Sequence, residues 1–369
     1  MLNLNKEILA MLRPSRAIAV LLIPLLLSGC NWVLLSPSGD VAVQQRNILL
    51  ISTALMLLII IPVLGLTIYF AWRYRASAQA KYDPDWHHSL PLEVVIWSVP
   101  LLIVIVIGAI TWMGTHLLDP YRPLGRLAAN KPIQLTTNGQ PLRDTLKVQV
   151  VALDWKWLFI YPKQGVASVN ELVLPVDQPV EFNITSSSVM NSFFIPALAG
   201  QIYAMPGMQT KLHAVINHAG DYEGFSANFS GPGFNGMRFK LRGVDDGAFQ
   251  QWTQQAAAQG KPLGRPEYLE LEKPTQNVAP VQFNNVAPDL FSAVLGRCVD
   301  SAKMCSHDMM AIDAKGGGGK EGLMAVITPT PGKGAWIDAS PMQSRPFVTA
   351  ICTAENIFGT AGQSAILAN

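Results

Sequence analysis

Two regimes of hydrophobic patterning divide the chain. Residues 48–72 form an apolar run without a charge that contains Pro62 and Gly65, and residues 94–113 form a second with Pro100 one turn in. Each is long enough to cross a bilayer, and Tyr69, Trp72, Trp97 and Trp112 lie near their ends, where an interfacial aromatic belt belongs. A shorter run, residues 17–27 behind Arg13 and Arg16, is too short to span comfortably and reads as a secretory signal. From about Asp119 the pattern changes to short β-like runs at 147–153, 158–161, 171–174, 180–185, 213–216, 222–229 and 237–241, separated by Pro, Gly and Asn turns. That spacing predicts a β-sandwich with Greek-key connections. Residues 246–259 have helical composition, with Asp245 or Asp246 as N-cap and Gly260 as stop. An aromatic-containing segment follows at 281–294, and beyond about Asp300 the pattern dissolves around Gly316-Gly317-Gly318-Gly319, which predicts a flexible tail.

Composition agrees with a membrane protein that carries a folded outer domain. Half of the 369 residues are hydrophobic and 14% are charged, too apolar a balance for an ordinary soluble chain. The net charge of +2, with no basic run interleaved with aromatics, speaks against a nucleic-acid partner. Residues 73–81 carry Arg73, Arg75 and Lys81, so the positive-inside bias puts this connection in the cytoplasm and both outer flanks of the hairpin outside. The four cysteines, Cys30, Cys298, Cys305 and Cys352, fall outside the expected β-domain and imply no disulfide framework. Cys298, Met304, Cys305, His307, Met309 and Met310 are close in sequence, but their spacing matches no metal site.

Several residues are candidates for chemistry. Leu27-Ser28-Gly29-Cys30 resembles the bacterial lipobox, which predicts cleavage before Cys30 and a diacylglycerol on its sulfur. Glu93 opens the second apolar helix, where a carboxylate either suits the helix dipole or marks a functional ionisable group at membrane depth. Neighbouring His87 and His88 have no spacing partner and read as solvated loop residues. Trp155 and Trp157 flank Lys156 with strand alternation and read as core mass. His213 and His218 stand singly and are discounted as ligands.

The stretch 224–237, Gly-Phe-Ser-Ala-Asn-Phe-Ser-Gly-Pro-Gly-Phe-Asn-Gly-Met, looks like a metal loop stripped of its ligands. It resembles the loop of subunit II of the heme-copper oxidases, which holds a dinuclear copper centre on the pattern Cys-x-Glu-x-Cys-x-x-x-His-x-x-Met. Ser226, Asn228, Ser230 and Phe234 stand at the first Cys, the Glu, the second Cys and the His; Met237 alone keeps its identity. Upstream, Asn191-Ser192-Phe193-Phe194-Ile195-Pro196 resembles the family's His-Ser-Phe-x-x-Pro segment with Asn191 in place of the His. Together with Asp154-Trp155-Lys156-Trp157 and the apolar pair, these occur in the family's order over residues 25–297. The resemblance is to the copper-free, quinol-oxidising branch, the bo-type ubiquinol oxidases.

That resemblance implies an α+β membrane protein: a lipoprotein signal at 1–29, a periplasmic segment at 30–47, a transmembrane helical hairpin at 48–116 and a cupredoxin-like domain at 119–245. A C-terminal helical and aromatic-rich segment at 246–297 and a tail at 298–369 complete the division. It also implies a subunit of a proton-pumping complex that oxidises ubiquinol and reduces dioxygen to water. Hemes and copper would be housed in subunit I, no cofactor would be bound by this chain, and Glu93 would stand at the mouth of a proton path. The expected partners are subunit I, smaller integral subunits and lipid, with no role for cytochrome c. Two other readings remain open: a copper-carrying electron-transfer subunit, and a free-standing lipoprotein on a cupredoxin scaffold.

Overall fold

The computed structural model describes residues 32–81, 85, 88–134 and 143–314. The expectations for the signal segment, Cys30, His87, Cys352 and the chain beyond residue 314 lie outside the described residues.

Two helices come first, α1 (Asp40–Arg73) and α2 (Leu90–Leu117), of 34 and 28 residues. Both outrun the stretches 48–72 and 94–113 that announce them. At α1 the reason is the polar lead-in: Asp40, Gln44, Gln45, Arg46 and Asn47 continue the helix, whereas hydropathy marks only the part that lipid must solvate. At ~1.5 Å per residue α1 is roughly 50 Å long, against a hydrocarbon core of about 30 Å. Their most apolar windows have mean hydropathies of 2.8 and 2.7, and only 0% and 6% of those windows is buried. A helix that is apolar all round yet uncovered by its own protein is solvated by lipid or by another membrane subunit. The two helices touch each other where Gly114 leaves room for the Ile48 side chain.

The outer domain begins with a small hairpin, β1 (Arg126–Ala128) and β2 (Lys131–Pro132). Then follow β3 (Leu146–Leu153), β4 (Lys156–Tyr161), β5 (Val166–Val169), β6 (Glu171–Pro175), β7 (Val180–Ser186), β8 (Asn191–Phe194), β9 (Ile202–Ala204), β10 (Thr210–Ala214), β11 (Gly220–Ser226) and β12 (Arg238–Val244). The remaining elements are α3 (Asp246–Gln259), β13 (Lys261–Pro262), α4 (Arg265–Glu272), β14 (Val281–Asn284), α5 (Leu290–Leu295) and α6 (Ser306–Ala314). A seven-stranded sheet in the order β10-β7-β3-β4-β5-β14-β13 faces a five-stranded sheet in the order β6-β12-β11-β8-β9. The pairs β3–β7 and β6–β12 are parallel, so the chain crosses between sheets rather than meandering.

Between the sheets lies an aromatic core. Phe193 stacks on Phe239 at 5.5 Å, and Trp157, Phe159 and Phe182 meet them edge-on or tilted. Tyr161 ties the sheets together: its hydroxyl donates to the Val173 carbonyl at 3.0 Å and accepts from the Val173 N–H at 2.9 Å, and complete burial pushes its pKa far up. The outer face of the large sheet is covered too. Val151, Leu153, Leu158, Ile160, Ala167 and Val169 pack against Leu263, Tyr268, Phe283, Leu290, Phe291 and Val294 of the C-terminal segment. Every residue of β4 is therefore buried. Lys156 is the odd member: its ammonium reaches the Lys273 carbonyl at 2.8 Å and Thr275 Oγ1 at 2.5 Å, while burial lowers its pKa.

The chain entering α1 is stitched into this domain. Ser38 and Gly39 donate to the Ala197 carbonyl, each at 2.9 Å, Asn217 donates back to Ser38, and Gly39 bridges Ile216. A Cβ on Gly39 would lie 2.6 Å from two backbone oxygens, so only glycine permits this approach.

Some expectations need correction. The strand expected at 213–216 is Thr210–Ala214, and the one expected at 222–229 stops at Ser226, where the chain turns into the Gly/Pro loop. Trp155 and Trp157 do not share a strand face: Trp155 sits in the turn before β4 with φ 66°. The stretch from 298 is not featureless, since Cys298 and Cys305 form a disulfide with a Cα–Cα distance of 4.8 Å and α6 follows it. Two cysteines seven residues apart carry no such pairing in their spacing alone.

Candidate functional site

The stripped loop joins β11 to β12 and packs beside the start of β8. Its end is closed by backbone: Ser226 N–H donates to the Met237 carbonyl at 3.2 Å and Ala227 N–H to the Ser192 carbonyl at 2.9 Å. This brings Asn191 and Ser226, on neighbouring strands β8 and β11, into contact, the hydroxyl donating to Asn191 Oδ1 at 3.1 Å. Both residues are buried. The Asn191 amide donates in turn to the Val189 carbonyl at 3.1 Å. Ser230 approaches the buried Met237 sulfur at 3.9 Å. Asn228 turns its amide towards the Met190 and Phe229 carbonyls, at 3.2 and 3.3 Å. Phe234 opens a single 3-10 turn, Phe234–Gly236, and its ring meets Phe229 edge-on at 5.7 Å.

Trp155 closes the loop from outside. Its indole N–H donates to the Ser230 carbonyl at 3.0 Å, and its ring covers Gly231 and Gly233. A Cβ on Gly233 would fall 2.3 Å from the indole, so the absence of a side chain there is what lets the ring seat.

This donor set does not fit a dinuclear copper centre. Hydroxyls and an amide are hard neutral donors, a phenyl ring donates nothing, and one thioether cannot hold two copper ions. The polar atoms are also committed elsewhere: among the described residues, no side-chain atom at positions 191, 226, 228 or 230 is buried without a hydrogen-bond partner. Where ligands would stand, the loop is knitted by its own hydrogen bonds.

A second group, Cys305, His307 and Asp308, brings its polar atoms within 4.8 Å of one another. The Cys305 sulfur is bonded to Cys298, and His307 Nε2 lies 2.8 Å from Asp308, so this cluster also lacks a free thiolate. His213 is held by the Pro120 carbonyl, 3.1 Å from Nδ1, and the His218 carbonyl accepts from Tyr222.

Glu93 lies in the first turn of α2. Its carboxylate is 2.6 Å from His88 Nδ1, and both side chains are substantially exposed. The contact was hidden from spacing because His88 precedes the helix; only the turn into α2 folds it back onto Glu93.

Comparison with known proteins places this arrangement. Residues 147–244 match the family described as "Cytochrome C oxidase subunit II, periplasmic domain", and residues 257–302 match the "COX Aromatic Rich Motif". The latter holds most of the residues that cover the outer face of the large sheet. The chain is 48% identical to "Cytochrome bo(3) ubiquinol oxidase subunit 2" of Pseudomonas putida, over 74% of this chain and 82% of the relative. It is 46% identical to the protein of the same description from Pseudomonas aeruginosa, over 78% and 88%. With "Ubiquinol oxidase subunit 2" of Acetobacter aceti the identity is 45%, over 74% and 85%. Identities of 45–48% over most of the length of these relatives, together with the subunit II family match over the outer domain, make the chain a member of the ubiquinol oxidase subunit 2 family.

Proposed function

We propose that this chain is the copper-free subunit II of a proton-pumping terminal oxidase in the bacterial cytoplasmic membrane, where ubiquinol is oxidised and dioxygen reduced to water. The observation that carries the proposal is the Asn191–Ser226 hydrogen bond with its neighbours Asn228, Ser230, Phe234 and Met237. A thiolate and imidazole cage has given way to a self-satisfied polar knot, which conducts no electrons and supports a loop. A quinol reaches the large subunit through the bilayer, so no outer electron relay is needed. Hemes and copper reside in subunit I; this chain supplies assembly surface and a roof above it, without a catalytic site of its own. Cys30 carries a diacylglycerol that holds the mature N-terminus at the outer leaflet, and smaller integral subunits complete the complex.

Metal analysis and activity of the purified complex test this together. Copper at the subunit I stoichiometry, turnover with ubiquinol and none with cytochrome c are expected; two further coppers in the outer domain would overturn it. Restoring the ligands with Asn191→His, Phe234→His, Ser226→Cys and Ser230→Cys should produce a coloured copper centre, because positions 191, 226, 230 and 237 already converge.

Glu93, with His88 at 2.6 Å, is proposed as the carboxylate at the cytoplasmic mouth of the proton path. Glu93→Ala is expected to slow turnover and proton uptake while the complex still assembles, and unchanged turnover would remove Glu93 from the mechanism.

A further inference from the structure

A cavity of about 350 Å³ lies where the outer ends of α1 and α2 meet the β-domain. Its lining includes the apolar Val41, Leu118 and Leu124 and the charged Asp40, Arg126, Asp119 and Arg122. The first two charges neutralise each other: Asp40 is buried, Arg126 Nε is 2.8 Å from it, and Gln44 donates to the same oxygen at 2.7 Å. Among the described residues the other two are uncommitted. Asp119 accepts only the Tyr121 backbone N–H, at 2.9 Å, and Arg122 donates only to the His116 carbonyl, at 3.4 Å. Neither belongs to an ion pair among the described residues.

The depth of the cavity limits what can enter it. Both membrane helices end at its wall, at Asp40 and Leu117, so it stands at the outer ends of both spans, about 6–12 Å along the helices beyond the apolar stretches 48–72 and 94–113. An arginine presented there offers a planar fork to a phosphate, and a carboxylate three residues away offers itself to an ammonium. The two are balanced, which favours a ligand carrying one charge of each sign above an apolar tail.

We propose that this cavity binds the zwitterionic headgroup of an outer-leaflet phospholipid with a primary amine, a phosphoethanolamine. Arg122 takes the phosphodiester, Asp119 takes the ammonium, and the glycerol end of the lipid rests on Val41, Leu118 and Leu124. The Asp40–Arg126 pair, its carboxylate buried and its charges mutually neutralised, belongs to the wall and does not meet the ligand charge.

The test is native mass spectrometry of the delipidated oxidase complex, titrated with phosphatidylethanolamine, phosphatidylglycerol, phosphatidylcholine and, separately, inorganic phosphate. Phosphatidylethanolamine should bind best, and inorganic phosphate should not displace it. Arg122→Gln should weaken phosphatidylethanolamine and phosphatidylglycerol alike, by about tenfold for the loss of a charge-assisted hydrogen bond. Asp119→Asn should weaken phosphatidylethanolamine by a similar factor and leave phosphatidylglycerol unchanged. Heme content checks that each variant complex has assembled; both residues are exposed and outside the β-core. Equal binding of all lipids with no response to either substitution would overturn the proposal, as would displacement of lipid by inorganic phosphate.

Discussion

Ser226 shows at the residue scale how the loop between β11 and β12 is held. Its hydroxyl serves buried Asn191, approaches the Asn228 carbonyl at 3.2 Å and lies 3.5 Å from the Ser192 N–H. Ser226→Ala leaves the Asn191 oxygen buried without a donor, so a loss of roughly 1–3 kcal/mol is expected in thermal or denaturant unfolding. Asp177 gives the pH counterpart. Burial, the largest single influence, pushes its pKa up, but hydrogen bonds from Lys131 and Asn217 and the charges of Lys131 and Arg143 outweigh it, holding the carboxyl below its usual value. A depressed folded pKa adds stability that is complete above the ordinary Asp value of about 3.9 and is lost as pH falls through the lower folded value. Asp177→Asn should therefore be less stable than the parent at neutral pH by up to about 1 kcal/mol, the exposed-pair range, with the two converging in acid. Parallel melting curves at pH 7 and pH 3 check it.

Elements were legible where one physical pressure acted alone. Lipid demands apolar residues over its full thickness, so α1 and α2 show plainly in sequence, while their polar continuations do not. Asp245 caps α3 by accepting from the Ala248 N–H at 2.7 Å, and Gly260 ends it, both as the residue types suggest. The β-elements were blurred by burial on two sides: in β4, Lys156 to Tyr161 shows no polar alternation because both faces are covered. Short β5, β8 and β9 held too few residues to display a period. Asn191 and Ser226 could be singled out by the resemblance of their segments to the family's motifs, yet the hydrogen bond between them depends on strands β8 and β11 lying side by side, which the motifs do not encode. The Cys298–Cys305 disulfide joins the end of α5 to the start of α6. Paired Cys298→Ser and Cys305→Ser substitutions should cost about 2–3 kcal/mol on the loop-entropy scale. Hydrogen exchange should show the loss in α5 and α6 rather than in the sandwich.

The whole molecule reads as two covers over one sheet. The five-stranded sheet covers one face of the large sheet, and the aromatic-rich C-terminal segment covers the other. A chain ending at Gly260 would bare Val151, Leu153, Leu158 and Ile160 as a continuous apolar face, and it should bind hydrophobic dyes and aggregate where the full chain stays dispersed in the same detergent. A soluble, dye-silent truncation would show that the segment is ornamental. Membrane and outer parts are also one mechanical body. Because Ser38 and Gly39 are woven into Ala197, Ile216 and Asn217 immediately before α1 begins, no swivel separates the helix from the sandwich. Any tilt imposed on α1 by bilayer thickness is geared through these bonds into the outer domain, so the thickness of the surrounding lipid reaches the sandwich as a change of attitude.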